Sequence, residues 1–187
     1  FTITKQEDEA PGGVAFFAVY NGIQYTWASD GTVLPLRADK LESLQVSMKT
    51  NAGSVPGTYQ AVSALWFSAG PEPDAQLPSG GYMEVWHYKQ TPRNPSGTRV
   101  ESGLRLSGVS GAYDVWLGTC YDRPCTTYVR TEPVTSFTGD LMPFLRDALG
   151  RPGSIEASWY LNALYGGFDV AAGGVGLSAT EISAQVR

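Results

Sequence analysis

Short runs of alternating apolar and polar residues recur along the chain with turn-forming residues between them, a pattern that predicts strands. The first run, Val14 to Tyr20, is followed by Asn21-Gly22, a strong hairpin signal. Ile23 to Trp27 then returns, and Ser29-Asp30-Gly31 turns again. Leu41 to Met48, Tyr59 to Phe67, Tyr82 to Lys89, Thr98 to Leu106 and Ala112 to Gly118 read as further strands. Tyr128 to Val134, Ser158 to Tyr165 and Gly176 to Val186 complete the set. The Pro-rich stretches Pro71 to Pro78 and Thr91 to Gly97 flank the Tyr82 strand and are placed to shape the rim of a cleft. One segment has a helical period instead: Leu141, Phe144, Leu145 and Ala148 recur on one face, after Asp140 and before Gly150. Many strands with one helix imply two antiparallel sheets packed as a sandwich.

At 187 residues the chain is expected to form a single domain over 1–187, with enough interior for a core of its own. It carries 42% hydrophobic and 17% charged residues, which excludes a disordered or coiled-coil class. The net charge of −5, with no basic cluster, argues against nucleic acid as a partner. Apolar runs such as Val14 to Val19 are too short to cross a bilayer, so no membrane partner is expected. The sequence starts at Phe1 rather than Met, which fits a mature form. The two cysteines, Cys120 and Cys125, enclose Tyr-Asp-Arg-Pro. With one histidine in the chain they cannot make a zinc site, and a disulfide across a tight turn is the better reading. That implies a secreted or extracytoplasmic protein without a bound metal.

The candidate chemistry lies on the strand Gly81-Tyr82-Met83-Glu84-Val85-Trp86-His87-Tyr88. Alternation puts Tyr82, Glu84, Trp86 and Tyr88 on one face and Met83, Val85 and His87 on the other. A carboxylate among aromatic rings furnishes a sugar-binding groove, since rings stack on pyranoses and the acid exchanges protons. The plain alternative is an edge strand with a surface glutamate. Trp116 and Asp114 share a face of their strand and are candidates for the same groove; a loop-packed Trp and a solvated acid are the alternative. Trp27 is a further candidate platform, whereas Trp66 and Trp159 read as core. His87 reads as a hydrogen-bonded structural histidine, unless the strand slips by one residue and inverts its faces. Gly166-Gly167 and Gly173-Gly174 lack a phosphate-loop context and suit close backbone approach or bulges.

The order of motifs resembles glycoside hydrolase family 12, the endoglucanases and xyloglucanases. Tyr113-Asp114-Val115-Trp116-Leu117-Gly118 is similar to the family's W-E-L-W-Y-G strand. Pro133-Val134-Thr135-Ser136-Phe137-Thr138-Gly139-Asp140-Leu141 is similar to P-I-T-S-F-x-G-D-L at the entry to the family's helix. Tyr160 through Val186 lies over Y-L-x-x-L-x-x-G-T-E-P-F-T-G and the closing strand without a gap. The central strand resembles Y-E-[IL]-M-I-W-L, and Ala61 to Ala69 faintly resembles A-Y-D-L-F-T-A. The resemblance implies a jelly-roll β-sandwich of two curved antiparallel sheets with one α-helix and a concave cleft. It also implies a retaining glycosidase with a Glu nucleophile on the central strand, an acid/base Glu in G-T-E, and a supporting Asp. Counted back from Trp86, the nucleophile position holds Tyr82, and Glu84 stands one pleat further along. The supporting Asp corresponds to Leu65 and the acid/base to Asp169.

The expected function is therefore a secreted carbohydrate-active protein acting on a β-linked glucan-type chain, with Glu84 and Asp169 as the acid/base pair. A carboxylate moved by a pleat and a shorter Asp both widen the pair, toward the separation that admits a water and inverts the anomeric centre. Tyr82 as nucleophile with Glu84 as its base is a second possibility, and a phenol is poor at this without activation. The alternatives are a non-catalytic glycan-binding protein and an enzyme of another reaction class on a non-sugar small molecule. No cofactor is expected, and an oligosaccharide or other small molecule would bind in the cleft of a monomer.

Overall fold

The computed structural model describes residues 1–5, 15–24, 27–72, 78–90 and 92–187. Its elements are β1 (Ala15–Gln24), β2 (Trp27–Ala28), β3 (Leu36–Arg37), β4 (Leu44–Thr50), β5 (Gly57–Ser68) and β6 (Gly81–Gln90). They continue with β7 (Thr98–Leu104), β8 (Tyr113–Cys120), β9 (Arg123–Arg130), β10 (Ser136–Asp140), α1 (Met142–Leu149), β11 (Tyr160–Gly173) and β12 (Ala179–Val186). Among the described residues they form a large sheet ordered β2-β1-β11-β5-β6-β9-β8-β7, with β3 on β11, and a small sheet ordered β10-β4-β12. This is the expected jelly-roll sandwich with one α-helix. Among the described residues every strand pairing is antiparallel except β6 with β9, which run parallel. No helix among the described residues is long and apolar enough to cross a membrane.

The core fills the space between the two sheets and is closed at one end by α1. Leu65, Phe67, Met83 and Val85 of the large sheet meet Leu44, Val46 and Phe137 of the small one and Phe144, Leu145 and Ala148 of the helix. Phe144 is fully buried and sits edge-on to Tyr113 and Tyr128, with ring centroids 4.9 and 5.1 Å away. Such alternation leaves the opposite face of β1, β11, β5 and β6 to line a cleft.

Two sequence expectations fail here. Asn21-Gly22 is no hairpin: β1 runs straight through it and stays paired to β11, with Gly22 opposite Ala163. Gly22 serves close approach instead, because a Cβ there would lie 2.1 Å from the Asn162 carbonyl oxygen. Asn21 is also engaged, donating to the Ala184 carbonyl and accepting from Thr32. The second failure concerns Tyr88. The β5–β6 register jumps between Ala61 and Val62, which pair with Tyr88 and Trp86, so His87 is an extra residue in β6. This bulge turns Tyr88 inward, where its ring stacks on Tyr59 at 6.4 Å. His87 faces inward too, as expected; its Nε2 meets the Ser63 hydroxyl at 2.9 Å and its ring stacks on Phe137. Burial, with Arg130 nearby, pushes its pKa down to about 3 and keeps it neutral.

The glycines of β11 bring β1 close beside the cleft. Gly167 pairs with Ala18, and a Cβ on it would lie 2.1 Å from the Phe17 carbonyl oxygen. The Gly167→Ala variant is therefore expected to be less stable by about 1–3 kcal/mol. Urea unfolding followed by tryptophan fluorescence checks this, with a lower midpoint as the expected result.

Candidate functional site

Three neighbouring strands present the site. On the cleft face β5 offers Gln60, Val62, Ala64 and Trp66, β6 offers Tyr82, Glu84 and Trp86, and β11 offers Tyr165 and Asp169. Two hollows, of about 440 and 470 Å³, open side by side on this surface. The first is walled by Phe16, Tyr20, Trp66, Tyr82 and Tyr165, the second by Gln60, Trp86, Arg93 and Asn94. Glu84, Asp169 and Tyr121 border both. One side of the cleft is thus an aromatic trough and the other a polar one, with two carboxyl groups where they meet.

Glu84 is held on one oxygen. The Trp86 indole Nε1–H donates to Oε2 at 2.9 Å, and the Thr127 hydroxyl donates to the same oxygen at 3.5 Å. An oxygen of this carboxyl also lies within 4.8 Å of the sulfurs of Cys120 and Cys125, which help to keep water away. Burial raises its pKa above the ordinary carboxylate value, and the two hydrogen bonds oppose that rise. Asp169 accepts a 2.7 Å hydrogen bond from Gln60 Nε2, directly across the β11–β5 pair. Burial and the charge of Glu84 push its pKa up to about 7, against the Gln60 hydrogen bond and the Arg93 charge. Two acids out of water and near each other do not readily both ionise. The arrangement therefore disfavours two simultaneous negative charges, and Asp169 is the group whose proton is exchanged near pH 7.

The structure gathers Glu84, Asp169, Tyr82 and Trp86 as expected. Trp86 has a different task from a sugar platform: it is only 4% exposed and its indole N–H is committed to Glu84. Trp116 lies in the same row as Glu84, through Thr127, and borders neither hollow. Asp114 is tied up by Arg99 at 2.9 Å and by the Gly103 amide. Trp27 sits on β2, 73% exposed and outside both hollows. Of the two flanking Pro-rich stretches, residues 73–77 and 91 fall outside the described residues.

Trp66 is a correction in the other direction. It lies in the aromatic trough, with its ring 4.6 Å from Tyr165 and 5.5 Å from Tyr82. Alternation from Gln60 and Ala64 would have found it. Leu65 cannot be the partner of a cleft carboxylate, because it is fully buried between the sheets. The residue across from Glu84 is Ala64. Moving A-Y-D-L-F by one residue puts its Asp on Ala64 and its Leu on Leu65, in agreement with the faces of β5. Cys120 and Cys125 are joined in the expected disulfide.

Comparison with known proteins bears on the family and the fold. The sequence model described as Glycosyl hydrolase family 12 matches residues 3–187. A curated relative, the "Probable cellulase Cel12b" of Mycobacterium tuberculosis, is 26% identical over 157 residues, covering 84% of this chain and 99% of its own. The solved structure of the endoglucanase Cel12A from Rhodothermus marinus superposes with a TM-score of 0.89 at 30% identity, over 100% of this chain and 80% of that one. A xyloglucanase from Bacillus licheniformis, at 16% identity and a TM-score of 0.80, shares the fold, over 100% of this chain and 79% of its own.

The charge of Glu84 is one cause of the raised Asp169 pKa, so removing it has a definite sign. In Glu84→Gln the Asp169 midpoint is expected to fall below about 7 toward the ordinary range. Carbon-13 NMR titration of the Asp169 carboxyl reads this directly, and an unchanged midpoint would show that the two groups do not interact.

Proposed function

The chain belongs to glycosyl hydrolase family 12, and on that footing we propose that it hydrolyses a β-linked glucan with Glu84 as nucleophile and Asp169 as acid/base. The observation that carries the reading is the pair itself, a hydrogen-bonded Glu84 and a raised Asp169 on adjoining walls of one cleft. A small re-registration supports it. Laid two residues further along than a count from Trp86 suggests, the motif Y-E-[IL]-M-I-W-L puts its Glu on Glu84. A shift of two preserves the faces of the strand, so Tyr82 no longer stands at the nucleophile position. The carboxylate need not have moved by a pleat, and the main argument for inversion goes with it. Asp169 remains one methylene shorter than the family's Glu.

The chemistry follows from the two protonation states. Asp169 in its acid form gives a proton to the glycosidic oxygen as the bond to C1 breaks. Glu84 attacks C1 from the opposite face and forms a glycosyl ester. Asp169, now a carboxylate, takes a proton from a water that attacks C1, and Glu84 leaves with its electron pair. Two inversions at C1 give net retention. The aromatic trough of Trp66, Tyr82 and Tyr165 suits the faces of pyranose rings, and the disulfide is consistent with an oxidising, extracytoplasmic compartment.

One observation favours a second reading, that of a glycan-binding protein without turnover. Ala64 stands where the family's supporting Asp would face Glu84, so the nucleophile lacks that partner. Activity on a soluble β-glucan decides between the two readings. Glu84→Gln and Asp169→Asn are each expected to lower kcat by at least about 10²–10⁴-fold. Proton NMR of the first product should show the β-anomer. An α-anomer would overturn the retaining mechanism, and no activity in any form with intact glycan affinity would establish the binder. The rate should fall as pH rises past about 7, where Asp169 loses its proton. It should also fall in acid at a pH above the ordinary carboxylate range, where Glu84 gains one.

A further inference from the structure

We infer that the disulfide-bonded turn between β8 and β9 is a working part of the cleft, and that it holds the Tyr121 ring against the substrate at the point of cleavage. The inference rests on the hydrolytic reading above and adds a residue and a covalent bond to it. Among the described residues, Tyr121 is the one besides Glu84 and Asp169 that borders both hollows. It therefore stands where a sugar chain passes from the aromatic trough to the polar one. It is 65% exposed, far more than a packing residue, and it is supported from one side by the Tyr82 ring at 5.7 Å.

The backbone beneath it is unusual. Cys120 pairs with Arg123, so Tyr121 and Asp122 alone make the turn. Both have left-handed backbones, with φ of 51° and 61°. A two-residue turn of this kind follows the twist of the strands and favours Gly or Asn, so a tyrosine there adopts a conformation that costs it something. A glycine would form the turn more easily and leave no ring in the cleft. The disulfide runs from Cys120, at the lip of the second hollow, to Cys125, which is 2% exposed. Cys125 lies opposite Tyr82 on β6 and opposite Gly118 on β8. One end of the bond is thus set in the sheet that carries Glu84, and the other holds the residue before Tyr121. The bond couples the ring to the nucleophile strand.

Hydrolysis of cellotetraose by the whole protein tests this, with KM and kcat measured separately. Tyr121→Ala is expected to raise KM about three- to tenfold, the size of a lost ring-stacking contact, with a smaller change in kcat. Tyr121→Phe keeps the ring and should restore KM. The double variant Cys120→Ser/Cys125→Ser should raise KM to a similar extent, and adding Tyr121→Ala to it should change little more. An unchanged KM in Tyr121→Ala overturns the inference. Fully additive effects overturn the part assigned to the disulfide, because the bond would then not act through the ring. Should the native protein turn over no glycan, the hydrolytic reading fails separately. Calorimetric affinity for cellotetraose then decides the role of the ring: equal binding by the native protein and Tyr121→Ala overturns it, and weaker binding by the variant sustains it.

Discussion

The cleft depends on one electrostatic constraint: two carboxyl groups are taken out of water near one another. Burial alone would raise both pKa values, and the charge of either raises the other further. What resolves the conflict is an unequal supply of donors. Glu84 takes the Trp86 and Thr127 donors on a single oxygen, whereas Asp169 takes one amide donor from Gln60 and feels the charge of Glu84. That asymmetry favours the charge on Glu84 and the proton on Asp169, which is the division of labour the proposed hydrolysis needs. The donors are themselves fixed by sheet register. Thr127 is level with Glu84 across the parallel β6–β9 pair, and Gln60 is level with Asp169 across β11 and β5.

Much of this was legible in the chain. Alternation along Tyr82 to Trp86 placed Glu84 on an aromatic face, and the gapless stretch from Tyr160 placed Asp169 in the same cleft. The short Cys120–Cys125 spacing announced its disulfide. What escaped were effects of partners that a single strand cannot reveal. Asn21-Gly22 has the composition of a hairpin turn, yet its glycine is needed because β11 passes too close for a side chain. Strict alternation also carried Tyr88 onto the cleft face, and only the register with β5 exposes the extra residue at His87. Trp66 reads as core because large apolar residues usually are, but here it lines the aromatic side of the cleft. The error at Leu65 was of one residue, and in a strand one residue exchanges cleft for core.

The changes from the family pattern are connected. An Asp beside Glu84 would add a third buried acid to the pair, and Ala64 stands there instead. The aromatic trough then reaches Glu84 through Ala64 and Val62, whose small or apolar side chains leave room for a ring and no counter-charge. Glu84 is left to rely on the Trp86 indole and the Thr127 hydroxyl, neutral donors that do not titrate near neutral pH. A neutral donor stabilises the carboxylate less than a cation would, and so burial still leaves the Glu84 pKa raised.

The shortened acid Asp169 fits the same logic. A carboxyl group one methylene closer to its backbone sits deeper among β-sheet side chains and has less access to water than a Glu at that position. Depth raises its pKa, and the Gln60 hydrogen bond limits the rise to about 7. Folding is coupled to this proton. Because the folded value lies above the ordinary value of 3.8, the fold is favoured by the acid form and loses that advantage as pH climbs from about 4 to about 7. The reactive protonation state of Asp169 and the one that best tolerates burial are therefore the same. Burial thus favours the protonated form that the proposed general acid needs, and a Glu reaching further into the cleft would give up part of that coincidence in exchange for reach.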